Sequence, residues 1–461
     1  MRSAQSVSCC QVHPPFPLIT RMILSRRIRV YPFLYVASIC LVAASSAAAQ
    51  QPAQVTVVRA ARMLDVVKGE IVAPAVVVVA NGKIQSVGGA NVPPNARTID
   101  LGDLTLLPGL IDAHTHLTAD ISGDWVTRSV RELPADAALR GAMNARKTLL
   151  AGFTTVRDVG AGGFADISLM NAIDAGFVEG PRMIPSAHAI GITGGHCDET
   201  GWAPGVRELD FRDGVADGVE EVVKAVRYQV KHGAKVIKVC ATAGVLSFDA
   251  TLGAQQLSDA ELQAIVQEAN RHGLKVAAHA HGTEGIIAAV KAGVASIEHG
   301  SILSDEAIEL MKRRGTYLVP TAYLLSTFKF DSMPPPIAAK ARQVIPLAQE
   351  SHRRAIKAGV KIAFGTDAAV YPHGDNAHEF AVYVGYGMKP ADAIRTATVN
   401  AADLLGVTDR AVIAPGKLAD LIAVRGNPLD DVKTLQQVLW VMKGGVMVKD
   451  AGPRGGGGAP K

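Results

Sequence analysis

Two histidines close a short apolar run near residue 110, and their spacing suits metal binding. The segment 107–116 reads LPGLIDAHTH, which places His114 and His116 two residues apart. On a β-strand alternate side chains point to the same face, so both imidazoles would lie together. Two neutral imidazoles from one strand supply half of a transition-metal site. With 13 histidines in 461 residues, chance alone supplies about 0.3 such pairs, so the prediction depends on finding further ligands.

Four other apolar runs also carry residues that can bind a metal. They place Lys238 within KVIKVCAT, His279 at the end of VAAH, His299 at the end of SIEH and Asp367 at the end of IAFGTD. In a barrel of parallel strands, catalytic side chains lie at the carboxyl ends of the strands. The repeated placement therefore predicts a single site to which five strands contribute.

The strands that would position these residues alternate with amphipathic helical patterns from about 110 to 400. Ser258 and Glu261 form a predicted capping box at the start of one helix, and Gly273 follows its predicted end. Eight β/α alternations favour an α/β fold with a (β/α)8 TIM barrel over residues 108–410. The predicted strands are 110–116, 153–159, 182–190, 235–242, 275–281, 296–299, 317–322 and 361–367.

Both flanks of the predicted barrel are rich in β-branched residues and turn signals. Residues 50–107 include VTVV, AVVVVA and a favoured Asn81-Gly82 hairpin turn, and residues 411–450 repeat this style. Each flank is too short to stand alone, so we expect the two to pair into one small β-sandwich domain. The glycine-rich end, residues 451–461, is expected to be disordered.

The first 49 residues differ in composition from the rest and predict export. They contain five arginines, no Asp or Glu, an apolar run at 33–49 and a small-residue end, which describes a secretory signal peptide. The alternative is a membrane anchor, but a run of this length is marginal for crossing a bilayer. Met22 is an alternative start, and Ser25-Arg26-Arg27 gives a weak indication of twin-arginine export. We expect a periplasmic or secreted protein without a stable membrane anchor.

Removing that leader also removes the net charge. The chain has 47 basic and 42 acidic residues, and subtracting the five leader arginines leaves 42 of each. This balance does not favour nucleic acid or an anionic membrane as a partner. Only Cys197 and Cys240 of the five cysteines lie beyond the leader, so one disulfide is possible and a disulfide-built scaffold is excluded.

Lys238 lies in a run that is otherwise suited to burial, and it permits two interpretations. A buried, unpaired ammonium costs several kcal/mol, so the side chain could extend past the strand end to reach solvent. Alternatively, the amine reacts with carbon dioxide to form a carbamate, an anionic ligand with two oxygens that can bridge two divalent metals. The four histidines and the aspartate around Lys238 favour the carbamate.

With these motifs the chain resembles the amidohydrolase superfamily. The resemblance is to the imidazolonepropionase-related group, which contains prolidase-like Xaa-Pro and other Xaa-amino-acid dipeptidases and ochratoxin-degrading amidohydrolases. It covers nearly the whole chain after the leader and extends to VPT at 319–321 and PGKLADL at 415–421. Ala243 departs from the pattern, because many relatives have a glycine there.

The resemblance implies a binuclear site with two divalent cations, and Zn²⁺ is the expected metal for so many histidines. One ion would take His114, His116 and Asp367, the other His279 and His299, with carboxylated Lys238 bridging them. A hydroxide between the ions, with its pKa lowered to about 7, would attack a peptide-like amide. Asp367 would accept the proton and pass it to the leaving amine. The expected substrate is a dipeptide, an Xaa-Pro peptide or an N-acyl amino acid such as an ochratoxin-like compound.

Four further residues are candidates for contact with the substrate. His196, in the loop after the third strand, could donate to the substrate carbonyl or oxyanion, or have no role. His281 could orient the substrate or a ligand. Arg157 could bind a substrate carboxylate, or instead pair with Asp158. Tyr323 follows the seventh strand and could line the pocket.

Two other functions stay open. A mononuclear cyclic-amide hydrolase or deaminase of the same superfamily typically lacks the lysine of the fourth strand, so Lys238 counts against it. A catalytically inactive barrel could act as a scaffold, but a scaffold has no need of buried polar ligands. We also expect a homo-oligomer that binds a small-molecule or peptide-like substrate.

Overall fold

The computed structural model describes residues 55–89, 92–123, 125–248 and 251–451. These residues belong to one compact unit, Gln54–Lys461. The predicted leader at 1–49 and the tail from residue 452 lie outside the described residues, so both stay predictions. No helix in the described part of the chain is both long and apolar enough to cross a membrane.

Strands and helices alternate through the middle of the chain. The strands are β1 (Thr56–Ala60), β2 (Arg62–Asp65), β3 (Glu70–Val72), β4 (Ala75–Ala80), β5 (Lys83–Val87), β6 (Arg97–Asp100), β7 (Leu104–Pro108), β8 (Leu110–Thr115), β9 (Phe153–Asp158), β10 (Arg182–Pro185), β11 (Ile237–Cys240), β12 (Val276–Ala280), β13 (Ser296–His299), β14 (Tyr317–Val319), β15 (Leu421–Arg425), β16 (Trp440–Lys443) and β17 (Val446–Asp450). The α-helices are Pro134–Leu150, Ala165–Asp174, Val219–Lys231, Asp259–Arg271, Thr283–Ala292, Asp305–Arg314, Pro335–Ala358, His378–Gly385, Pro390–Arg395 and Ala401–Leu405.

The strands β8 to β14 form two parallel sheets in which the strand order follows the chain. One sheet has the order β10-β9-β8 and the other the order β11-β12-β13-β14. A single parallel bridge joins Ile190, beyond β10, to Val239 on β11, and another joins Leu318 on β14 to Ile362. With helices between the strands, the result is a TIM-barrel-like α/β fold.

The predicted eighth strand, residues 361–367, is not a regular strand, although its backbone bonds to both neighbours. Ala363 N donates to Leu318 O on β14 at 3.0 Å, and Phe364 O accepts from β8 at 2.8 Å. Asp367 has a positive φ of 57°, which lies outside the extended region and ends the strand geometry. The segment therefore lies between β14 and β8 without forming a continuous ladder.

The two flanks contribute to two further sheets. Their orders are β5-β4-β1-β6 and β17-β16-β15-β7-β2-β3, so the second sheet combines strands from both ends of the chain. In it β7 pairs antiparallel with β15, from Leu104 opposite Arg425 to Pro108 opposite Leu421. Apolar side chains of both sheets pack into one buried cluster, which includes Val58, Val77, Leu106, Ala423 and Trp440. The flanks therefore share a core.

The helix Asp259–Arg271 begins as the sequence predicts. Ser258 Oγ accepts from Glu261 N at 3.3 Å, and the Glu261 carboxylate accepts from Ser258 N at 2.7 Å. Gly273 follows the helix with a φ of 69°, a conformation that glycine adopts without strain. The capping box and the helix end are confirmed.

Candidate metal centre

All six predicted metal ligands line one cavity of about 710 Å³. They lie at or just beyond the carboxyl ends of β8, β11, β12 and β13 and in the segment that follows β14. These residues are His114, His116, Lys238, His279, His299 and Asp367. Residues separated by about 250 positions in sequence are thus brought to one place by the parallel strands.

His114 and His116 converge on Asp367. The Asp367 Oδ1 atom lies 3.5 Å from His114 Nε2 and 3.4 Å from His116 Nε2. The other ring nitrogens are anchored, since His114 Nδ1 lies 2.7 Å from Glu298 Oε2 and His116 Nδ1 lies 3.0 Å from Gly160 O. A donor hydrogen bond at Nδ1 leaves the lone pair on Nε2, which is how a histidine is prepared to bind a metal.

A second group consists of His279, His281 and His299, whose ring nitrogens lie within 4.8 Å of one another. His281 Nδ1 lies 2.7 Å from Ser301 Oγ, and His299 Nδ1 lies 2.8 Å from Thr321 Oγ1. The Nε2 atom of His279 is buried and has no hydrogen-bond partner among the residues that the structure describes. Leaving such a nitrogen unsatisfied costs free energy, and a divalent cation would satisfy it. The donor set therefore fits a metal.

Burial keeps the ligand histidines neutral. It lowers the pKa of His116 to about 4 and lowers the pKa values of His279 and His299 well below the ordinary range. The neutral imidazole is the form that donates a lone pair to a metal. These three rings can therefore bind a cation near neutral pH without first losing a proton.

Lys238 is buried in the lining of the same cavity. Its side chain does not reach solvent as the first interpretation of the sequence supposed, because the residue is only 4% exposed. Burial lowers the pKa of the Lys238 ammonium to about 8, although the carboxylates of Glu298 and Asp367 act in the opposite direction. A lowered pKa increases the fraction of neutral amine, which is the form able to react with carbon dioxide.

Glu298 joins the first ligand to a buried arginine, a role that sequence reasoning missed. Its Oε2 atom contacts His114, and its Oε1 atom accepts from Arg157 Nη2 at 2.8 Å. Arg157 also donates to Ser296 Oγ at 3.0 Å and to Ala113 O at 2.5 Å. Burial acts to raise the pKa of Glu298, but Arg157 and His114 lower it to about 2. Glu298 is therefore an ionised carboxylate that orients His114.

Arg157 does not lie where a substrate would bind. It is 1% exposed and is not among the residues that line the cavity. Its acidic partner is Glu298 rather than the adjacent Asp158. Because an unpaired buried guanidinium is very costly, Arg157 serves the ion pair and the ring of His114.

Tyr323 and His196 differ in their relation to the cavity. Tyr323 is absent from the lining of both described cavities, and its ring packs against Tyr371 and His378 with centroids 5.0 and 4.8 Å away. His196 lines both cavities and stacks on His279, with ring centroids 4.1 Å apart. The structure therefore brings only His196 and His281 of the four predicted substrate residues to the site.

Several residues at the strand ends adopt left-handed backbone conformations that are unusual for residues other than glycine. The φ angles are 70° for His299, 49° for Thr321 and 57° for Asp367. Each such conformation costs about 1–3 kcal/mol and persists only where the surrounding structure enforces it. The strain turns these side chains toward the cavity at the point where each strand ends.

The fold and this cluster of histidines, lysine and aspartate at the strand ends are those of a barrel hydrolase. The model of the amidohydrolase family matches residues 105–448, and the chain belongs to that family.

Similar proteins agree with this membership. The ochratoxinase of Aspergillus niger is 39% identical over 376 residues, which span 75% of this chain and 76% of the relative. The imidazolonepropionase of Idiomarina loihiensis is 25% identical over 410 residues, covering 79% and 89% of the two chains. A crystal structure of a Xaa-Pro dipeptidase with methionine in its active site is 38% identical, with a TM-score of 0.83, and covers 86% of this chain and 100% of that one. The protein is a hydrolase that acts on carbon–nitrogen bonds in amides or peptides.

Proposed function

We propose that the protein is a binuclear metal-dependent amidohydrolase that cleaves a peptide-like amide in a dipeptide, an Xaa-Pro peptide or an N-acyl amino acid, including ochratoxin-like compounds. The observation that carries the proposal is the convergence of six ligand types on one cavity, with the buried Nε2 of His279 left without a partner among the described residues. The names of the similar ochratoxinase and Xaa-Pro dipeptidase support this substrate class.

The donor groups divide into two sets. One cation would be held by His114, His116 and Asp367, and the other by His279 and His299, with Lys238 between them. Zn²⁺ suits imidazole-rich sites, so we propose zinc. When bound, two divalent cations lower the pKa of a water molecule and polarise the scissile carbonyl.

Lys238 would act as the bridge in a carboxylated form. Its neutral amine nitrogen attacks carbon dioxide, a nitrogen–carbon bond forms, and one proton leaves to solvent. The product is an anionic carbamate, which replaces a buried cation by a bidentate oxygen ligand. This exchange removes the cost of an ammonium that lies among neutral imidazoles.

Asp367 and His196 supply the proton transfer and the polar contact that hydrolysis needs. The Asp367 carboxylate, close to both His114 and His116, would take a proton from the attacking water and deliver it to the amine nitrogen that leaves. His196, which lies against His279, would donate a hydrogen bond to the oxygen of the scissile carbonyl as negative charge develops there.

A second, smaller cavity next to the ligands supports an uncharged side chain in the substrate. Its volume is about 60 Å³, and Asp367 is the only carboxylate among the described residues that line it. Burial lowers the pKa of His352, another lining residue, to about 4, so that ring is also neutral. The apolar lining residues are Val245, Leu246, Leu324, Leu325, Phe328 and Val344.

We further propose the finer organisation that the sequence predicts. Bridges at Ile190 and Ile362 support a closed (β/α)8 barrel, and the cluster shared by the flanking sheets supports a β-sandwich. A disulfide between Cys197 and Cys240 supports export by residues 1–49, because disulfides persist in oxidising compartments. Exposed Leu139 and Met143, which share one helix face, support a homo-oligomer.

The test combines metal analysis with a screen of dipeptides and N-acyl phenylalanines. We expect two metal equivalents and amide cleavage. One equivalent would favour the mononuclear alternative, and the absence of both metal and activity would favour an inactive scaffold.

Lys238→Ala is expected to lose metal and at least about 100-fold in kcat/KM, more than changes to groups behind the ligands cause. Formate or acetate should restore part of this activity by supplying the missing carboxylate. Lys235→Ala, at an exposed lysine just before the same strand, is the matched control and should change neither quantity. Full metal content and activity in Lys238→Ala would contradict the binuclear site.

A further inference from the structure

His196 lies in a loop, yet contacts from other segments fix its position. Its backbone N–H donates to Gln256 Oε1 at 2.9 Å, and its Nδ1 atom lies 2.8 Å from Ser247 Oγ. Its ring stacks on His279 with an interplanar angle of 29°. A half-buried loop histidine gains such a fixed geometry only if the loop itself is held in place.

The residue after His196 provides that attachment. Cys197 is joined by a disulfide to Cys240, the last residue of β11 and two positions beyond Lys238. The two Cα atoms are 5.8 Å apart although 43 positions separate the cysteines in sequence. At Gly191 a Cβ atom would lie 2.8 Å from Cys197 Cβ, so the chain behind the bridge requires a glycine. The bridge thus attaches the His196 loop to the strand that carries Lys238.

The opposite side of the His196 ring is also closely fitted. A Cβ atom at Gly244 would lie 2.2 Å from His196 Cε1, so only glycine leaves room for the ring. Lys340, on the helix Pro335–Ala358, donates to Gly244 O at 2.8 Å and to Ser247 O at 2.7 Å. This buried ammonium holds the segment that both contacts the ring and supplies the Ser247 hydroxyl.

We propose that the Cys197–Cys240 disulfide is a positioning element that holds His196 over the metal site, so that the enzyme reaches full turnover only in its oxidised form. The inference rests on the proposed function of His196 as the donor to the scissile carbonyl. Both cysteines line the large cavity, so a small reductant can reach the bridge from the substrate side. Reduction by a dithiol breaks the sulfur–sulfur bond, converts Cys197 and Cys240 to two thiols, and oxidises the dithiol to its own disulfide.

The experiment is a double-mutant cycle on the metal-loaded full chain. Cys197→Ala/Cys240→Ala should lower kcat by about 10- to 100-fold with a smaller change in KM, because a small displacement of a catalytic group has effects of this size. His196→Ala should lower kcat by about 100-fold. The two changes combined should match His196→Ala within about 2-fold, since both remove the same contribution. Multiplication of the two losses, or an unchanged kcat without the bridge, would overturn the proposal.

Controls separate positioning from folding and from metal loss. Dithiothreitol should lower the kcat of the unmodified protein, reoxidation should restore it, and the bridge-free variant should not respond to either treatment. Metal content should stay constant throughout; a loss of metal in parallel with kcat would contradict a positioning role.

A readout without catalysis distinguishes this proposal from the proposed function. In NMR spectra of protein with carbon-labelled histidine, reduction should shift the His196 signal while the His114 signal stays in place. If the protein cleaves no amide but this shift occurs, the proposed function fails and the positioning by the disulfide stands. An unchanged His196 signal on reduction would refute the positioning.

Discussion

The cavity has two walls that are built in different ways. The ligand wall, formed by the six predicted metal ligands, lies on or next to parallel strands, and its rings are anchored by buried partners such as Glu298 and Thr321. The loop wall, formed by His196, Leu246 and Phe328, lies in the segments that follow β10, β11 and β14. Backbone ladders fix the first wall, whereas contacts between loops fix the second. The chemistry is therefore tied to the scaffold, while specificity can change with the loops.

The largest expected effect in this comparison comes from breaking the support of the ligand wall. Glu298→Gln keeps the shape but leaves the Arg157 guanidinium without its buried counter-charge, so the free energy of unfolding should fall by about 3 kcal/mol. Metal affinity should fall by about 10- to 100-fold, because His114 loses a charged partner. Urea denaturation and metal titration measure these two quantities.

The control for Glu298→Gln is the same change on the surface. Glu309 pairs with Lys312 at 2.8 Å with both side chains partly exposed, so Glu309→Gln should change stability by less than about 0.5 kcal/mol. If both variants kept the stability and metal content of the parent protein, the ligand wall would not depend on its buried ion pair.

A medium effect is expected from the loop wall. Phe328→Ala enlarges the second cavity, so kcat/KM for substrates with large apolar side chains should rise about 10-fold relative to small ones. Metal content should not change. Phe330→Ala removes an equal volume from the same hydrophobic cluster but not from the cavity lining, and should leave selectivity unchanged. Equal shifts in the two variants would mean that the loop wall does not set specificity.

The smallest effect should come from the lysine that supports the loop wall from behind. Lys340→Met removes the donor to Gly244 O and Ser247 O at nearly constant length, and kcat should fall by about 3-fold with metal retained. Lys357→Met, at an exposed position in the last turn of the same helix, is the matched control. Loss of metal from Lys340→Met would show that the two walls are not independent.

The ligand wall could be predicted from sequence because strand periodicity and strand ends are local features. His114, His279 and His299 each close an apolar run, and the parallel arrangement brings such ends together. The Glu298–Arg157 pair could not be predicted, since it joins β9 to β13 across 141 positions, and nothing local shows which charges meet. A buried Glu directly before a strand-end histidine was the available signal.

The loop wall was less predictable for a related reason. The position of His196 depends on loops 191–199 and 243–248, whose conformations arise from mutual contacts rather than from a repeated pattern. The predicted eighth strand differs from the structure because Asp367 adopts a left-handed conformation, which no apolar periodicity encodes. Tyr323 was expected in the pocket from its place after β14, but the short helix Tyr323–Ser326 directs its ring toward Tyr371.

The pairing of β7 with β15 has a consequence for the order of folding. Thr105 Oγ1 donates to Gly426 O across 321 positions of sequence, and the whole barrel region lies between these two residues. Closing such a long loop is slow, and a contact of this range cannot form before the ribosome has made the C-terminal strands. Until then β7 has β2 on one side and an open apolar edge on the other. The flanking sheet must therefore be completed last, after the barrel region that it adjoins has been synthesised.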